Sequence, residues 1–206
     1  KVVVWENEFN YSKLNNFGVQ FATGKYYIFL NNDVEMIGTD WILRLSGDCH
    51  RNKVGVTGVK LYYPDDTVQH AGIVIGIGGS KRGIAANMFQ GLPREEHGYQ
   101  NRASLQADYS AVTAACMMVK KDVFDAVDGF TEKLQVAFND VDFCLKVRKK
   151  GYLVMYDPKI EGYHYESKSR GAENTPEKVR RFQGEIDTFR VFWKDILKDG
   201  DPYYNR

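Results

Sequence analysis

The polar segment after the first long apolar run contains an acid that could bind a metal ion. The run Tyr26–Leu30 is continuously apolar, which is typical of a strand buried on both faces. Asn31, Asn32 and Asp33 follow it directly. Ligands of open α/β sheets bind beyond the carboxyl ends of strands, and a carboxylate there suits Mg²⁺ or Mn²⁺. A turn explains these residues equally well, because Asn and Asp are common turn formers.

A second acidic segment, at positions 138–142, combines a helix start with a carboxylate that could act as a base. Asn139 is a good N-cap, and Asp142 complements the positive end of a helix. Capping explains Asp140 less specifically. A carboxylate beside a cleft can take a proton from an acceptor hydroxyl, so Asp140 is a candidate general base, with a purely structural role as the alternative.

A third segment places a histidine before a group of hydroxyls and cations. His164 is followed by Ser167 and Arg170. A histidine that binds a metal, with Ser and Arg on phosphate oxygens, would suit a diphosphate. An ordinary polar loop is the alternative.

Two other segments do not indicate a particular function. The stretch 76–81 is rich in glycine but has neither the GxGxxG nor the GxxxxGK[ST] spacing, so it predicts a flexible turn. His70 lies within the sequence Gln69-His70-Ala71-Gly72 and fits either a core histidine or an acceptor-side residue.

Composition narrows the class of protein. The chain has 206 residues, enough for one domain with a core, and 43% are hydrophobic, which excludes a disordered chain. Lys and Arg number 28 against 27 Asp and Glu, so the net charge of +1 gives no support for nucleic-acid binding. Three scattered cysteines are too few for a disulfide framework. They fit a reducing setting, so we expect a cytoplasmic protein. No membrane span or signal peptide is apparent.

The elements that must position these residues alternate between strand and helix. This alternation predicts a single α/β domain over 1–206 with a mixed central sheet flanked by helices. The predicted strands lie at 2–5, 26–30, 54–63, 73–77, 111–119 and 153–156, and the predicted helices at 17–22, 41–48, 121–127 and 139–150. The polar segment 80–104 has no clear period and predicts a functional or mobile loop. The chain begins without Met, so we expect a piece of a longer protein.

A C-terminal amphipathic helix is predicted over 176–197. Thr175 and Pro176 provide an N-cap and a first-turn proline. Apolar residues then recur at helical spacing, at Val179, Phe182, Ile186, Phe189 and Trp193. We expect core packing for this stripe, with a partner-binding or membrane-surface face as the alternative.

Taken in order, these segments resemble the family 2 glycosyltransferases of the GT-A fold. Positions 29–33 resemble the metal motif of that family, 138–145 its ED motif, and 163–167 its late metal-histidine segment. Positions 63–65, 69–72 and 201–205 are similar to a bacterial subgroup that builds rhamnose-containing surface polysaccharides. The resemblance covers nearly the whole chain.

The resemblance implies a role for each candidate residue. Asp33 would bind the metal as the second acid of the DxD motif, His164 would complete the metal site, and Asp140 would be the catalytic base. Asn31 stands where the first acid usually contacts the donor. Asn139 replaces the usual Glu before the base.

The resemblance also implies the reaction and the partners. The expected enzyme is an inverting hexosyltransferase that needs Mn²⁺ or Mg²⁺, a nucleotide-sugar donor, and a saccharide or lipid-linked saccharide acceptor at the inner face of the plasma membrane. The strands of the family that grip the nucleotide base would precede Lys1, so we expect the 206-residue piece alone to be nearly inactive. Asn31 and Asn139, amides where acids are usual, make a non-catalytic carbohydrate- or partner-binding module the first alternative. A nucleotide-sugar hydrolase is the second.

Overall fold

The computed structural model describes residues 2–77, 83–166 and 175–204. Its helices are α1 Tyr11–Val19, α2 Trp41–His50, α3 Lys121–Ala126, α4 Asn139–Lys149, α5 Pro176–Phe192 and α6 Lys194–Asp199. Its strands are β1 Tyr26–Leu30, β2 Val34–Ile37, β3 Val54–Tyr62, β4 Val68–His70, β5 Ile73–Ile75, β6 Ala85–Asn87, β7 Ala107–Asp108, β8 Cys116–Lys120 and β9 Leu153–His164. None of the helices in these ranges is long and apolar enough to cross a membrane.

A mixed seven-stranded sheet forms the centre of the molecule. Its main path runs β1-β8-β3-β9-β2, with β4 beside β3 and β7 beside β9. The pairing of β3 with β9 is parallel, and the other pairs are antiparallel. A separate two-stranded sheet joins β5 to β6. The predicted α/β fold with a mixed sheet is therefore confirmed.

Helices cover both faces of the sheet. On one face, α2 buries Leu45 and Cys49 against Leu61 of β3. On the other, an aromatic cluster centres on Phe130, whose ring centroid lies 4.9 Å from that of Phe29 and 4.8 Å from that of Phe143. Each buried side chain of this size contributes about 1.5–3 kcal/mol to folding, so these clusters fix the sheet against its helices.

The first residues of the chain differ from the prediction. Residues 2–5 are not a strand, and Val2 and Val4 are 92% and 70% exposed. The first helix lies at Tyr11–Val19 rather than at 17–22, because the side chain of Asn10 accepts a hydrogen bond from Lys13 N at 2.9 Å and caps it.

Strand β1 is an edge strand of the main sheet. Among the described strands it pairs with β8 alone, and its two faces differ: Tyr27 and Phe29 on one face are buried, whereas Leu30 on the other is 43% exposed. The prediction of burial on both faces was wrong, because a short apolar run does not reveal how completely each face of the strand will be covered.

Two other strands have different lengths from those predicted. Strand β8 occupies only the end of the apolar run at 111–119. Strand β9 continues through Pro158 to His164, although Asp157 and Pro158 predicted its end. The register explains this: Val59 pairs with Asp157 but Lys60 pairs with Glu161, so the proline, which has no N–H to donate, lies in a bulge.

The last predicted helix is divided into α5 and α6 at Trp193. Thr175 caps α5 as predicted by accepting a hydrogen bond from Lys178 N at 3.3 Å. The apolar stripe is only partly core: Phe189 is fully buried, but Phe182 is 40% exposed. The segment 80–104 contains β6 and a 3₁₀ helix at Tyr99–Ser104, and most of the glycine-rich stretch 76–81 lies outside the described residues.

Candidate active site

Four of the six predicted site residues, Asn31, Asp33, Asp140 and His164, line one cleft of about 920 Å³. Asp33 follows β1, Asp140 lies in the first turn of α4, and His164 ends β9. The cleft therefore brings together the three strand-end and helix-start signals found in the sequence. Ser167 and Arg170 lie outside the described residues.

Strand pairing places Asp33 beside His164. Strands β2 and β9 are antiparallel with Val34 opposite His164, and Tyr165 N donates to Asp33 O at 2.9 Å. Asp33 Oδ1 lies 3.2 Å from His164 Nε2. The two predicted metal ligands are thus adjacent, although nothing in local sequence connects them.

Gln69 of β4 determines which ring nitrogen of His164 faces the cleft. Gln69 Nε2 donates to His164 O at 3.2 Å and to Glu166 Oε2 at 3.4 Å, so Gln69 Oε1 must face His164 Nδ1, at 2.7 Å. An amide oxygen only accepts, hence Nδ1 carries a proton, and in the neutral ring Nε2 then presents its lone pair towards Asp33. This is the tautomer that binds a metal through Nε2.

Asp33 Oδ1 has the surroundings of a metal ligand. It is buried and has no hydrogen-bond partner among the described residues, and it lies 3.2 Å from His164 Nε2, which carries a lone pair in the neutral ring. Two acceptors at this distance repel unless a cation or proton lies between them. A divalent cation fits this pair.

The protein would supply only part of such a coordination sphere. Within 2–77, 83–166 and 175–204, no group of three or more His, Cys, Asp and Glu side chains is arranged to hold a metal. Mg²⁺ is commonly bound by one or two carboxylates together with substrate phosphates. Asn31, whose Nδ2 lies 3.4 Å from His164 Nε2, adds a neutral amide beside the pair rather than the usual acid.

Asp140 has both carboxylate oxygens in fixed positions at the start of α4. Its Oδ1 accepts from Val141 N at 2.8 Å, and its Oδ2 accepts from Ala114 N at 3.3 Å. Burial raises the pKa of Asp140 above its usual range, against these hydrogen bonds, which lower it. A carboxylate of raised pKa is a stronger base, which suits proton abstraction.

The cap of α4 differs from the prediction. Phe138, not Asn139, holds the cap position, and its backbone is left-handed with φ 61°. This conformation is strained for a bulky residue, and such strain is concentrated at functional sites. Asn139 is buried and its Nδ2 donates to Val136 O at 2.9 Å, so the amide has a structural role where the family has an acid.

Asp142 anchors the C-terminal helices rather than merely complementing the end of α4. It is 1% exposed, and it accepts from Thr131 Oγ1 at 2.6 Å and from Trp193 Nε1 at 2.8 Å. This contact holds α4 against the junction of α5 and α6.

His70 is a core histidine. Burial lowers its pKa to about 4, so the ring is neutral at pH 7. Its Nδ1 lies 2.7 Å from Asn87 Oδ1, and its Nε2 accepts from Thr113 N at 3.3 Å. Thr113 is followed by Ala114, whose N–H donates to Asp140. His70 therefore supports the segment that holds the candidate base. The alternative left open by the sequence is thus settled in favour of the core.

The cleft residues that were not predicted include Tyr11, Lys178 and Arg181. Tyr11 Oη donates to Ala114 O at 2.9 Å, and burial, with the nearby Asp140 charge, raises the pKa of Tyr11 well above its usual range. Lys178 and Arg181 are three residues apart on α5 and so share a face. That spacing was visible in the sequence, but the direction of the face was not.

Two solved structures share the fold of the chain. A crystal structure of GalNAc-T7 with UDP, GalNAc and Mn²⁺ matches with a TM-score of 0.67 and 14% identity, over 97% of this chain and 38% of that one. The mannosyltransferase PcManGT from Pyrobaculum calidifontis, in complex with GDP-Man and Mn²⁺, matches with a TM-score of 0.60 and 14% identity, over 95% and 47%. The chain has the GT-A glycosyltransferase fold.

Curated relatives of this GT-A chain include proteins named for polysaccharide synthesis, although no protein-family model matches. The present chain is 48% identical to the uncharacterized protein y4gI of Sinorhizobium fredii over 96% of its length. It is 32% identical to the O-antigen biosynthesis protein RfbC of Myxococcus xanthus over 98% of its length. An N-acetylglucosaminyl-diphospho-decaprenol L-rhamnosyltransferase of Mycobacterium tuberculosis is 31% identical over 30% of the chain. The GT-A chain spans 21%, 15% and 20% of these relatives. The resemblance to bacterial GT-A glycosyltransferases is confirmed.

Proposed function

We propose that this chain catalyses metal-dependent, inverting transfer of a sugar from a nucleotide sugar to an acceptor hydroxyl in bacterial polysaccharide synthesis. The observation that carries the proposal is the pair of Asp33 Oδ1, which has no hydrogen bond in the described structure, and the His164 Nε2 lone pair, 3.2 Å apart, in the same cleft as Asp140. A metal pair and a base in one cleft are the groups that such a transfer needs.

Asp140 is proposed to act on the acceptor. Its carboxylate takes the proton from the acceptor hydroxyl, which then attacks the anomeric carbon of the donor in a single displacement. The hydrogen bonds from Val141 N and Ala114 N keep both oxygens in place, and burial keeps the carboxylate basic. A single displacement needs one base and inverts the anomeric carbon.

Asp33 and His164 are proposed to hold Mn²⁺ or Mg²⁺. The ion, when bound, neutralises charge that develops on the leaving diphosphate. Gln69 orients His164 for this task. Lys178 and Arg181, which line the same cleft, place two further cations where they can contact phosphate oxygens.

The names of the relatives support the proposed substrate class. RfbC is named for O-antigen biosynthesis, and the rhamnosyltransferase for a diphospho-decaprenol substrate. By extension we propose a saccharide or lipid-linked saccharide acceptor and a cytoplasmic location at the inner membrane face.

Substitution of the base tests the proposal. In the intact protein, Asp140→Asn is expected to lower sugar transfer by about 10²-fold or more while donor binding stays nearly unchanged. Asp125→Asn, an exposed acid paired with Lys121 on α3, is the matched control. Near-normal turnover in Asp140→Asn would remove Asp140 from the mechanism.

Two further measurements separate the proposal from its alternatives. The enzyme needs Mn²⁺ or Mg²⁺ affinity that is lost in Asp33→Ala, whereas a carbohydrate-binding module without catalysis does not. Analysis of products with and without acceptor distinguishes transfer from hydrolysis of the nucleotide sugar. Free sugar formed at the same rate in both reactions would favour the hydrolase.

A further inference from the structure

A lysine lies in the middle of a fully buried strand. Every residue of β3 is buried, including Lys60, which is only 3% exposed. Burial lowers the pKa of Lys60, because a charged ammonium loses its hydration there. Buried charges are normally paired in folded proteins, so Lys60 is expected to have a partner of opposite charge.

A cavity lies at the bulge in β9, and this lysine is part of its lining. Between Val59 and Lys60 the pairing moves from Asp157 to Glu161, so residues 158–160 leave the ladder. The resulting cavity has a volume of about 440 Å³ and is lined by Lys60, Tyr62, Arg94, Glu95, His97, Ser104, Pro158, Lys159 and Glu161. It shares no lining residue with the active-site cleft.

The lining of the cavity has three cations against two carboxylates, Glu95 and Glu161, and Arg94 is also paired with Asp66. Glu161 already accepts from Tyr62 Oη and from Arg94 Nη2, the latter at 3.4 Å. The negative charge of Glu161 favours the protonated form of Lys60, whereas the positive charge of Arg94 disfavours that form. No carboxylate in the described ranges lies within ion-pair distance of Lys60 Nζ.

The tyrosine in the cavity, Tyr62, is only 1% exposed, so its ring is not available for stacking on a sugar. The Arg94 guanidinium carbon lies 4.9 Å from the Tyr62 ring centroid, and Lys60 Nζ lies 5.2 Å from it. The chemistry presented to a ligand is therefore cationic and hydrogen-bonding, with Lys159 at the rim and the paired side chains of His97 and Ser104, 2.8 Å apart, on the wall.

We propose that this cavity is a second ligand site, which binds the phosphate or carboxylate group of a small anion, with Lys60 as its central contact. Lys60, Arg94 and Lys159 form a three-cation set that matches a phosphate or carboxylate. The volume admits a group larger than inorganic phosphate, so a phosphorylated or uronic-acid saccharide fits the class.

Thermal unfolding with defined anions tests the site. Inorganic phosphate, glucose 1-phosphate, glucuronate and uncharged glucose are each titrated into the intact protein with chelator present and ionic strength held constant with chloride. Phosphate or a phosphate ester is expected to raise the Tm if the ligand is a phosphate, and glucuronate if it is a carboxylate. Glucose is expected to have no effect.

Lysine-to-methionine variants locate the binding. Lys60→Met keeps the length of the side chain, removes a buried charge and is expected to abolish the anion-dependent rise in Tm. Lys53→Met, the same change at an exposed position, should retain it. Lys159→Met, at the rim, should weaken the apparent affinity severalfold, and it tests the site even if Lys60→Met does not fold. An equal rise in wild type and Lys60→Met, or no rise in wild type with any anion, would overturn the proposal.

Discussion

The amide oxygen of Gln69 lies 2.7 Å from His164 Nδ1, and the amide nitrogen of Gln69 donates to the His164 carbonyl at 3.2 Å. Gln69 is 5% exposed on β4, a short strand beside β3. One side chain therefore fixes both the ring orientation and the tautomer of the proposed metal ligand. Partners of this kind commonly change metal affinity by about 10–100-fold when removed.

We expect Gln69→Met to weaken Mn²⁺ binding by about tenfold or more, because the His164 ring loses the acceptor that keeps the Nε2 lone pair towards Asp33. Titration of Mn²⁺ followed by electron paramagnetic resonance measures this without any substrate. Gln90→Met, at an exposed glutamine that donates to Tyr63 Oη, is the control. Equal Mn²⁺ affinities in the two variants would show that Gln69 does not position the histidine.

Asp33→Asn should separate the metal-free stability of the protein from its metal binding. Without metal and with a neutral His164 ring, an amide donor facing Nε2 replaces a repulsive pair of acceptors, so the free energy of unfolding should rise by about 0.5–1.5 kcal/mol. The increase in Tm that Mn²⁺ gives the wild type should disappear. Urea and thermal unfolding with and without Mn²⁺ measure both effects, and a destabilised metal-free variant would contradict the repulsion.

Ionisation of Asp48 should lower the free energy of unfolding, by an amount that depends on pH. Burial, followed by its contact with Asp157, raises the pKa of Asp48 to about 6. The folded protein thus binds this proton more tightly than the unfolded chain, whose aspartates titrate near about 3.9. Stability from this group is therefore lost as pH rises from about 4 to about 6.

Asp48→Asn is accordingly expected to raise the free energy of unfolding at pH 7.5 and to make little difference at pH 4. Urea unfolding at several pH values measures the difference between variant and wild type. The depressed pKa of His70, about 4, gives the opposite slope in this range, but it is common to both proteins and cancels in the difference. A gain of equal size at every pH would mean that the effect is not electrostatic.

Trp193→Phe should destabilise the protein beyond the loss of apolar contact. The substitution removes the indole N–H that Asp142 Oδ1 accepts at 2.8 Å, and leaves a carboxylate that is 1% exposed with one partner fewer. The expected loss is about 1–3 kcal/mol in urea unfolding. Trp41→Phe, at a half-buried tryptophan of α2, provides the comparison, and equal losses would argue that the hydrogen bond contributes little.

Local signals in the sequence were sufficient for several parts of the structure. Thr175 and Pro176 marked the start of α5, because a cap and a first-turn proline act within a few residues. The polar residues after β1 and at the start of α4 likewise identified Asp33 and Asp140 as candidates. The histidine before a group of hydroxyls and cations likewise identified His164, and the structure places all three in one cleft.

The direction and partners of these side chains depended on contacts between distant segments. The sequence could not show that β1 is an edge strand, that β9 passes its proline in a bulge, or that Lys178 and Arg181 face the cleft. Patterns of apolar and polar residues report burial along one element, whereas neighbours in a sheet are chosen by packing across the whole chain.

The sequence by itself therefore determined the fold class and the chemical types present in the site: a carboxylate after β1, a carboxylate at a helix start and a histidine near a strand end. Only the tertiary structure decided that Asp33 Oδ1 meets the Nε2 lone pair of His164, because Gln69, far away in sequence, fixes that tautomer. Strand pairing brings such groups within hydrogen-bonding distance, and at that distance the tautomer of one side chain depends on its neighbour.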